Sequence, residues 1–273
     1  MKAAVIPNYE KQNIKSYADE VCSVLEKNGI AVRVADEGED IIDESCDFVI
    51  IIGGDGTIIH NAKKAAVYKK PILGINTGRL GFMAGLEVNE LACLSALKTG
   101  DYETEKRMML DITVENESCS NKFLAFNDIV VAKSVTSRIV DISVKCDGVD
   151  MSKYRADGLI VSTPTGSTAY AISAGGPVID PLLDSLMITP ICPHSLFSRS
   201  ILVRENSLLE ISCDIRPCSE VMLTIDGEEY IHLNGDETIK VRKSPDKSAH
   251  LIKIKSDSFY HIFKSKMRDR MDI

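Results

Sequence analysis

Several familiar signatures are missing from this chain. No apolar run approaches the roughly 18 to 20 residues that a membrane-spanning helix needs. The opening stretch Met1-Lys2-Ala3-Ala4-Val5-Ile6-Pro7 meets a proline too early for a secretory leader, so it reads as a first strand. Of the eight cysteines, Cys22, Cys46, Cys93, Cys119, Cys146, Cys192, Cys213 and Cys218, no two stand as a C-x-x-C pair. That excludes the usual zinc spacings and a small disulfide scaffold, and it leaves reduced thiols in a cytoplasmic protein as the simplest reading. A basic surplus is lacking too. The net charge of −8 opposes a phosphate backbone, so neither nucleic acid nor an anionic membrane is expected as a partner. The short basic stretch from Lys264 to Arg268 reads as a solvated end. Sequence repeats and low-complexity linkers are absent. The five histidines are scattered, and no residue set points to a protein-bound metal.

What is present is the composition of an ordinary globular protein: 273 residues, 44% hydrophobic and 26% charged. Two textures divide it. Up to about residue 103, strand and helix patterns alternate. The run Phe48-Val49-Ile50-Ile51-Ile52 is apolar throughout, as in a strand covered on both faces. Ser16 is placed to cap a helix carrying Tyr17, Val21, Val24 and Leu25, stopped by Asn28-Gly29. A second helix is expected from Thr57, and a third from an Asn89 cap to Lys98. Alternation of this kind predicts a parallel, Rossmann-like α/β domain. From about 104 to 249 the strands are short and alternating, as in Leu110–Val114, Ile139–Val144, Leu208–Ile211, Val221–Ile225 and Thr238–Val241. Asp147-Gly148, Asp226-Gly227 and Asn234-Gly235-Asp236 punctuate them as turns. This predicts a β-rich second domain, with one helix beginning near Ser167.

Four clusters carry chemistry. Gly53-Gly54-Asp55-Gly56-Thr57 follows the buried strand and opens a helix, where free N–H groups and the helix dipole favour an anion. The loop is neither G-x-G-x-x-G nor G-x-x-x-x-G-K-[ST]. A carboxylate there suits a base for an incoming hydroxyl or a magnesium ligand; the alternative is a tight turn in which Asp55 only caps. Asn76-Thr77-Gly78-Arg79-Leu80-Gly81-Phe82 follows the next strand, at the edge where open α/β sheets bind ligands, and also reads as a structural turn. Asp157-Gly158-Leu159-Ile160-Val161-Ser162-Thr163-Pro164-Thr165-Gly166-Ser167-Thr168-Ala169-Tyr170 runs from a strand into a hydroxyl-rich helix start, suited to a base, ribose or phosphate or to a simple cap. Asn127-Asp128 pairs an amide with a carboxylate, able to grip two ribose hydroxyls or to form a strand bulge.

Together, and in order, these clusters closely resemble the NAD kinase family, with Gly175-Gly176-Pro177 and Pro193-His194-Ser195-Leu196 completing the series over roughly residues 48 to 227. The resemblance implies an N-terminal α/β domain (1–103) and a β-rich NAD-binding domain (104–249), with the tail from about 250 to 273 packing back on the first. It implies ATP-dependent phosphorylation of the adenosine 2′-hydroxyl of NAD, with magnesium arriving on ATP, in a homodimer or homotetramer that binds NAD between its domains. Asp55 would be the general base, with Gly53, Gly54 and Gly56 facing ATP phosphates. Asn127 and Asp128 would hold the ribose and adenine, while Thr168, Ala169, Tyr170 and Ser173 would line the adenine pocket. Asp157, supplied across a subunit contact, would meet the nicotinamide end, with Arg155 and Arg138 lining the same pocket. The chain departs from the family pattern in having Asp128 where glutamate is usual and Glu228 where glutamine is frequent. A lipid or sugar kinase sharing the glycine loop leaves the Ser162–Tyr170 segment unexplained, and a non-catalytic NAD sensor leaves Asp55 without a task.

Overall fold

The computed structural model describes all residues except 79–80, 135–137, 196–197, 217–218, 256–258 and 272–273, and leaves the side chains of 267 and 269–271 undescribed as well. Arg79, Leu80, Leu196 and Cys218 of the sequence patterns therefore lie outside the described residues. The chain forms two compact units, Met1–Arg107 with Lys247–Ile273, and Met108–Asp246.

The first unit is built on parallel strands β1 (Lys2–Pro7), β2 (Ala31–Val34), β3 (Phe48–Gly53) and β4 (Ile72–Asn76), in the order β2-β1-β3-β4. The short β5 (Leu86–Glu87) continues the free edge of β4. Every residue of β3 is buried, as its unbroken apolar sequence requires of a strand covered on both faces. Helix α1 (Ile14–Lys27) buries Ile14, Ala18, Val21 and Leu25, one stripe at helical spacing, against Ala3, Val5, Ile50, Ile52, Leu73 and Ile75. Helix α2 (Asp55–Val67) presents Ile58 to Gly74 of β4, where a methyl group would come within 2.4 Å of the Ile58 side chain.

Helix boundaries differ from the sequence reading. Asn13, in a left-handed conformation, precedes α1, so Ser16 lies inside the first turn and caps nothing. Helix α2 begins at Asp55, two residues before Thr57, because Gly54 in extended conformation already serves as its N-cap. The third helix opens as a 3₁₀ turn, Val88–Leu94, with the Glu87 N–H donating to the Glu90 carboxylate (2.9 Å) ahead of Asn89; α3 proper is Ser95–Thr99, ended by left-handed Gly100. A capping glutamate outcompeted the asparagine because its carboxylate reaches back one full turn.

The second unit holds two antiparallel sheets. One has the order β13 (Ile201–Arg204), β12 (Ser185–Ile191), β11 (Gly158–Ser162), β8 (Asp128–Lys133), β15 (Val221–Ile225), β16 (Glu229–Leu233). The other contains β10 (Val149–Ala156), β9 (Val140–Cys146), β14 (Leu209–Asp214) and the start of β17 (Thr238–Lys253), together with the β6 (Glu103–Glu115) and β7 (Ser120–Ala125) hairpin. Their inner faces interdigitate through residues such as Ile112, Ile129, Val131, Ile142, Leu159, Val161, Ile211, Leu223 and Ile239. Alternation sends Ile160 to the outer face of the first sheet, where Ala171 of the single-turn α4 (Tyr170–Ser173) and Ile179 cover it. The helix expected near Ser167 is thus a 3₁₀ turn, Thr165–Thr168, followed by that one turn. Asp147 (φ 52°) and Gly148 (φ 78°) form the two-residue turn joining β9 to β10, with both residues at the positive φ that such a hairpin demands.

The chain passes between the units within β6 and within β17. Beyond the crossing, Leu251 pairs with Ile72, and α5 (Phe259–Met271) ends the chain in the first unit.

Ile50 has no exposed surface and sits at the centre of the parallel sheet. Ile50→Ala is expected to lower unfolding free energy by about 2–5 kcal/mol, read from urea titration; a loss below ~1 kcal/mol would mean that this layer is not closely packed.

Candidate active site

In the first unit, β3 ends at Gly53 and α2 starts at Asp55, so the Gly53–Gly56 turn lies at the C-terminal edge of the sheet. The amides of residues 55–57 begin the helix and have no intrahelical acceptor. Gly53 is needed for packing: a methyl group there would lie 2.8 Å from Thr57 Oγ1, which also accepts from Asn8 Nδ2 (2.8 Å). Around Gly54 and Gly56 a methyl group would meet nothing within 4 Å, and neither has positive φ. Protein packing therefore calls for glycine at 53, while neither packing nor positive φ calls for it at 54 or 56.

Asp55 is half-buried, and its carboxylate is anchored. Oδ2 accepts the Phe82 N–H (2.9 Å) and Oδ1 accepts the Met83 N–H (3.2 Å). Gly81 permits this approach, since a methyl group there would fall 2.0 Å from Oδ1. Asn76, 3% exposed, donates to the Gly78 carbonyl (2.8 Å) and shapes the loop that delivers those amides. Each carboxylate oxygen has two lone pairs, so the two amides leave acceptor capacity on both.

In the second unit Asn127 and Asp128 open β8, both buried. The organiser beneath them is Asp226, which sequence reading took only for a turn residue. Its carboxylate accepts the N–H groups of Phe126 (2.8 Å), Asn127 (2.7 Å) and Asp128 (3.1 Å), and its own N–H donates to the Asp128 carbonyl (3.0 Å). A partner about a hundred residues away in sequence left no local signal beyond the Asp-Gly pair. Burial first, and the Asp226 charge second, push the Asp128 carboxyl from an ordinary value of 3.8 up to about 7.

The hydroxyl-rich segment divides by task. Thr163 Oγ1 donates to the Phe126 carbonyl (2.9 Å) and accepts from the Gly166 amide (3.0 Å). Ser167 Oγ donates to the Pro164 carbonyl (2.7 Å) and accepts the Ile179 N–H (3.0 Å). Gly166 is obligatory, because a methyl group would lie 2.2 Å from the Asn127 carbonyl oxygen. These groups lock the loop to the Asn127 strand. By contrast Ser162 Oγ, Thr165 Oγ1 and Asn127 Oδ1 are buried and find no hydrogen-bond partner in the protein. Ser162 pairs with Asp128 across β11 and β8, so all three atoms belong to one end of that strand pair. Unpaired buried polar atoms are costly, and gathered at one place they mark where a polar ligand would satisfy them. Thr168 and Ala169 are half-buried beside this end, while Tyr170 (48% exposed) and Ser173 stand open. Gly175 and Gly176 close α4: Gly175 has φ 88°, and the Gly176 amide donates to the Ala171 carbonyl.

Three expected site residues do not join this cluster within one chain. Asp157 precedes β11 at its opposite end, five residues and roughly 16 Å from Ser162. It makes a long ion pair with Lys133 (3.7 Å). Arg155 lies on β10 and Arg138 before β9, both exposed. Among the described residues no group of three or more His, Cys, Asp or Glu could hold a metal ion, and all described cysteines are free. No helix is long and apolar enough to cross a membrane among the described residues.

In class, the two units are the paired domains of a nucleotide-dependent kinase. Residues 5–102 match the ATP-NAD kinase N-terminal domain and residues 126–254 the ATP-NAD kinase C-terminal domain. The NAD kinase of Natranaerobius thermophilus is 38% identical over 98% of both chains, and that of Lachnoclostridium phytofermentans is 37% identical over 98% of this chain and 99% of its own. Among solved structures, an NAD kinase from Archaeoglobus fulgidus in complex with ATP superposes with TM-score 0.78 at 26% identity, covering 98% of this chain and 99% of that one. Yeast NADH kinase complexed with NADH shares the fold, with TM-score 0.82 at 21% identity, covering 97% and 86%. The chain belongs to the NAD kinase family.

The raised Asp128 carboxyl has a consequence for stability. A folded state that holds the proton to about pH 7, against 3.8 in the unfolded chain, binds more protons between those values. The stabilisation is full below 3.8 and is lost as pH rises towards 7. Asp128→Asn is expected to flatten the decline in urea midpoint between about pH 4 and 7 in ligand-free protein; identical slopes in both proteins would refute the shift.

Proposed function

We infer that the chain phosphorylates NAD to NADP with ATP, transferring the γ-phosphoryl group to the 2′-hydroxyl of the adenosine ribose. The observation that carries this reading is the Asp55 carboxylate, anchored by two amides at a helix start with open space at Gly54 and Gly56. A ribose hydroxyl is a weak nucleophile at neutral pH. Asp55 takes its proton as the new O–P bond forms and the bond from γ-phosphorus to the bridging oxygen of ADP breaks. The amides at the start of α2, with the helix dipole, hold the donor's phosphates in line. Magnesium arriving with ATP supplies charge neutralisation on the transferring group.

In this reading the second unit is the NAD-binding domain. Asn127 and Asp128 grip the ribose and adenine, helped by the unpaired Asn127 Oδ1, and Thr168, Ala169, Tyr170 and Ser173 line the adenine pocket. Asp157, Arg155 and Arg138 serve the nicotinamide end across a subunit contact in a homodimer or homotetramer. The distance of Asp157 along β11 from the Asn127 end supports that assignment. Free thiols in every described cysteine support a cytoplasmic location.

NADP formation from NAD, ATP and magnesium tests the base directly. Asp55→Asn is expected to cut turnover by about 10²–10⁴-fold while NAD affinity stays within about twofold; near-normal turnover in the variant would remove Asp55 from that role. Gly54→Ala tests the phosphate approach separately. The added methyl meets no protein atom, so the fold should hold apart from about 1 kcal/mol for alanine at an N-cap, while KM for ATP rises roughly tenfold or more; an unchanged KM would show that no phosphate comes close to Gly54.

A further inference from the structure

We propose that the C-terminal helix α5 is a positioning element for Asp55, acting through an aromatic contact between Phe259 and Phe82. The proposal rests on the reading of Asp55 as the base.

Phe82 is the hinge of the argument because its amide is one of the two that hold the Asp55 carboxylate. Its ring meets α5. The Phe259 ring lies with its centroid 5.6 Å from that of Phe82, at an interplanar angle of 37°, and Lys266 Nζ sits 4.6 Å from the same ring's centroid. Phe259 is itself stacked on Phe263 (6.1 Å, 20°), and Tyr260 meets it edge-on (5.5 Å). Phe259, Ile262, Phe263 and Lys266 are spaced three and four apart, so they form one face of α5, with Ile262 buried. Lys266 therefore leaves the solvated role that its basic neighbourhood in sequence implies.

The root of the tail is fixed to the same loop. The Ile252 carbonyl oxygen lies so close to Gly85 that a methyl group there would fall 2.8 Å from it. Lys253 Nζ donates to the Ala84 carbonyl (3.5 Å), and Lys255 pairs with Glu90. The segment from 82 to 90 thus contacts the tail at Phe82, Ala84, Gly85 and Glu90, while residues 82 and 83 present their amides to Asp55. A carboxylate turns freely about two side-chain torsions. Misplacing a catalytic group by an ångström can cost about a hundredfold in rate, so holding those two amides still is a kinetic function.

The test compares Phe259→Ala with Phe259→Tyr in the full-length chain. Hydrogen exchange at the Phe82 and Met83 amides is measured alongside kcat and KM. In Phe259→Ala the two amides should exchange about tenfold faster, and kcat should fall about tenfold with both KM values within twofold. Phe259→Tyr keeps the ring and should restore both. If folded Phe259→Ala keeps wild-type exchange and kcat, α5 is only a cover and the proposal is overturned. If Phe259→Ala fails to fold by circular dichroism, Phe82→Leu, which leaves α5 intact, is read in its place against the same outcomes. Wild-type protein that makes no NADP, or Asp55→Asn that keeps its rate, would instead sink the base reading, while the exchange measurement still reports on the contact.

Discussion

The constraint on which the first unit depends is the complete burial of β3. A parallel strand with apolar side chains on both faces has no solvated side, so the chain leaves it only at an end. Polar groups that must meet a ligand are thereby confined to the C-terminal edge. The turn after β3 and the loop after β4 emerge there together, because β3 and β4 pair in parallel with Gly53 opposite Asn76. That register brings Gly81, Phe82 and Met83 against Asp55. The glycine, the carboxylate and the two amides are twenty-six to twenty-eight residues apart in sequence, yet their meeting follows from one buried strand and the strand beside it.

The second unit solves a similar problem with charge. Strands β8 and β15 are antiparallel, and at their shared end three successive amides of residues 126–128 would be left without a sheet partner. The Asp226 carboxylate receives all three. The cost falls on Asp128, buried with that charge close by, whose own carboxyl is therefore held towards the neutral form. A ligand hydroxyl that donated to Asp128 would favour its ionised form.

Much of the fold was legible in the sequence because burial writes periodicity into it. The unbroken apolar run at Phe48–Ile52 and the alternation at Val221–Ile225 became β3 and β15. Helix starts were less legible, since they turn on single residues: Glu90 makes the capping contact ahead of Asn89, and Gly54 opens α2 before Thr57. The hydroxyl-rich segment could be seen as a polar surface but not sorted. Only coordinates separate Thr163 and Ser167, spent on bracing the loop, from Ser162 and Thr165, whose oxygens stay unpaired. Asp226 and Phe259 were invisible for one reason: both act through partners remote in sequence, and each carries an ordinary local explanation as a turn residue or a helix residue.

Glycine supplies the last step. Three uses of the residue occur around Asp55 and Asn127, and only one of them concerns a ligand. Gly81 and Gly166 are compelled by neighbouring protein oxygens, the Asp55 carboxylate and the Asn127 carbonyl, that a methyl group would overlap. Gly175 is compelled by its backbone, at φ 88°. Gly54 and Gly56 are compelled by neither, for space is open around both and their φ angles are ones any residue adopts. Gly56, inside the first turn of α2, lowers helix propensity without a compensating contact in the protein, whereas Gly54 stands at the N-cap, where glycine is well tolerated. In the proposed function, a phosphate seated on the free amides of the helix start would approach the backbone more closely than a side chain allows, and that would account for the open space at both glycines.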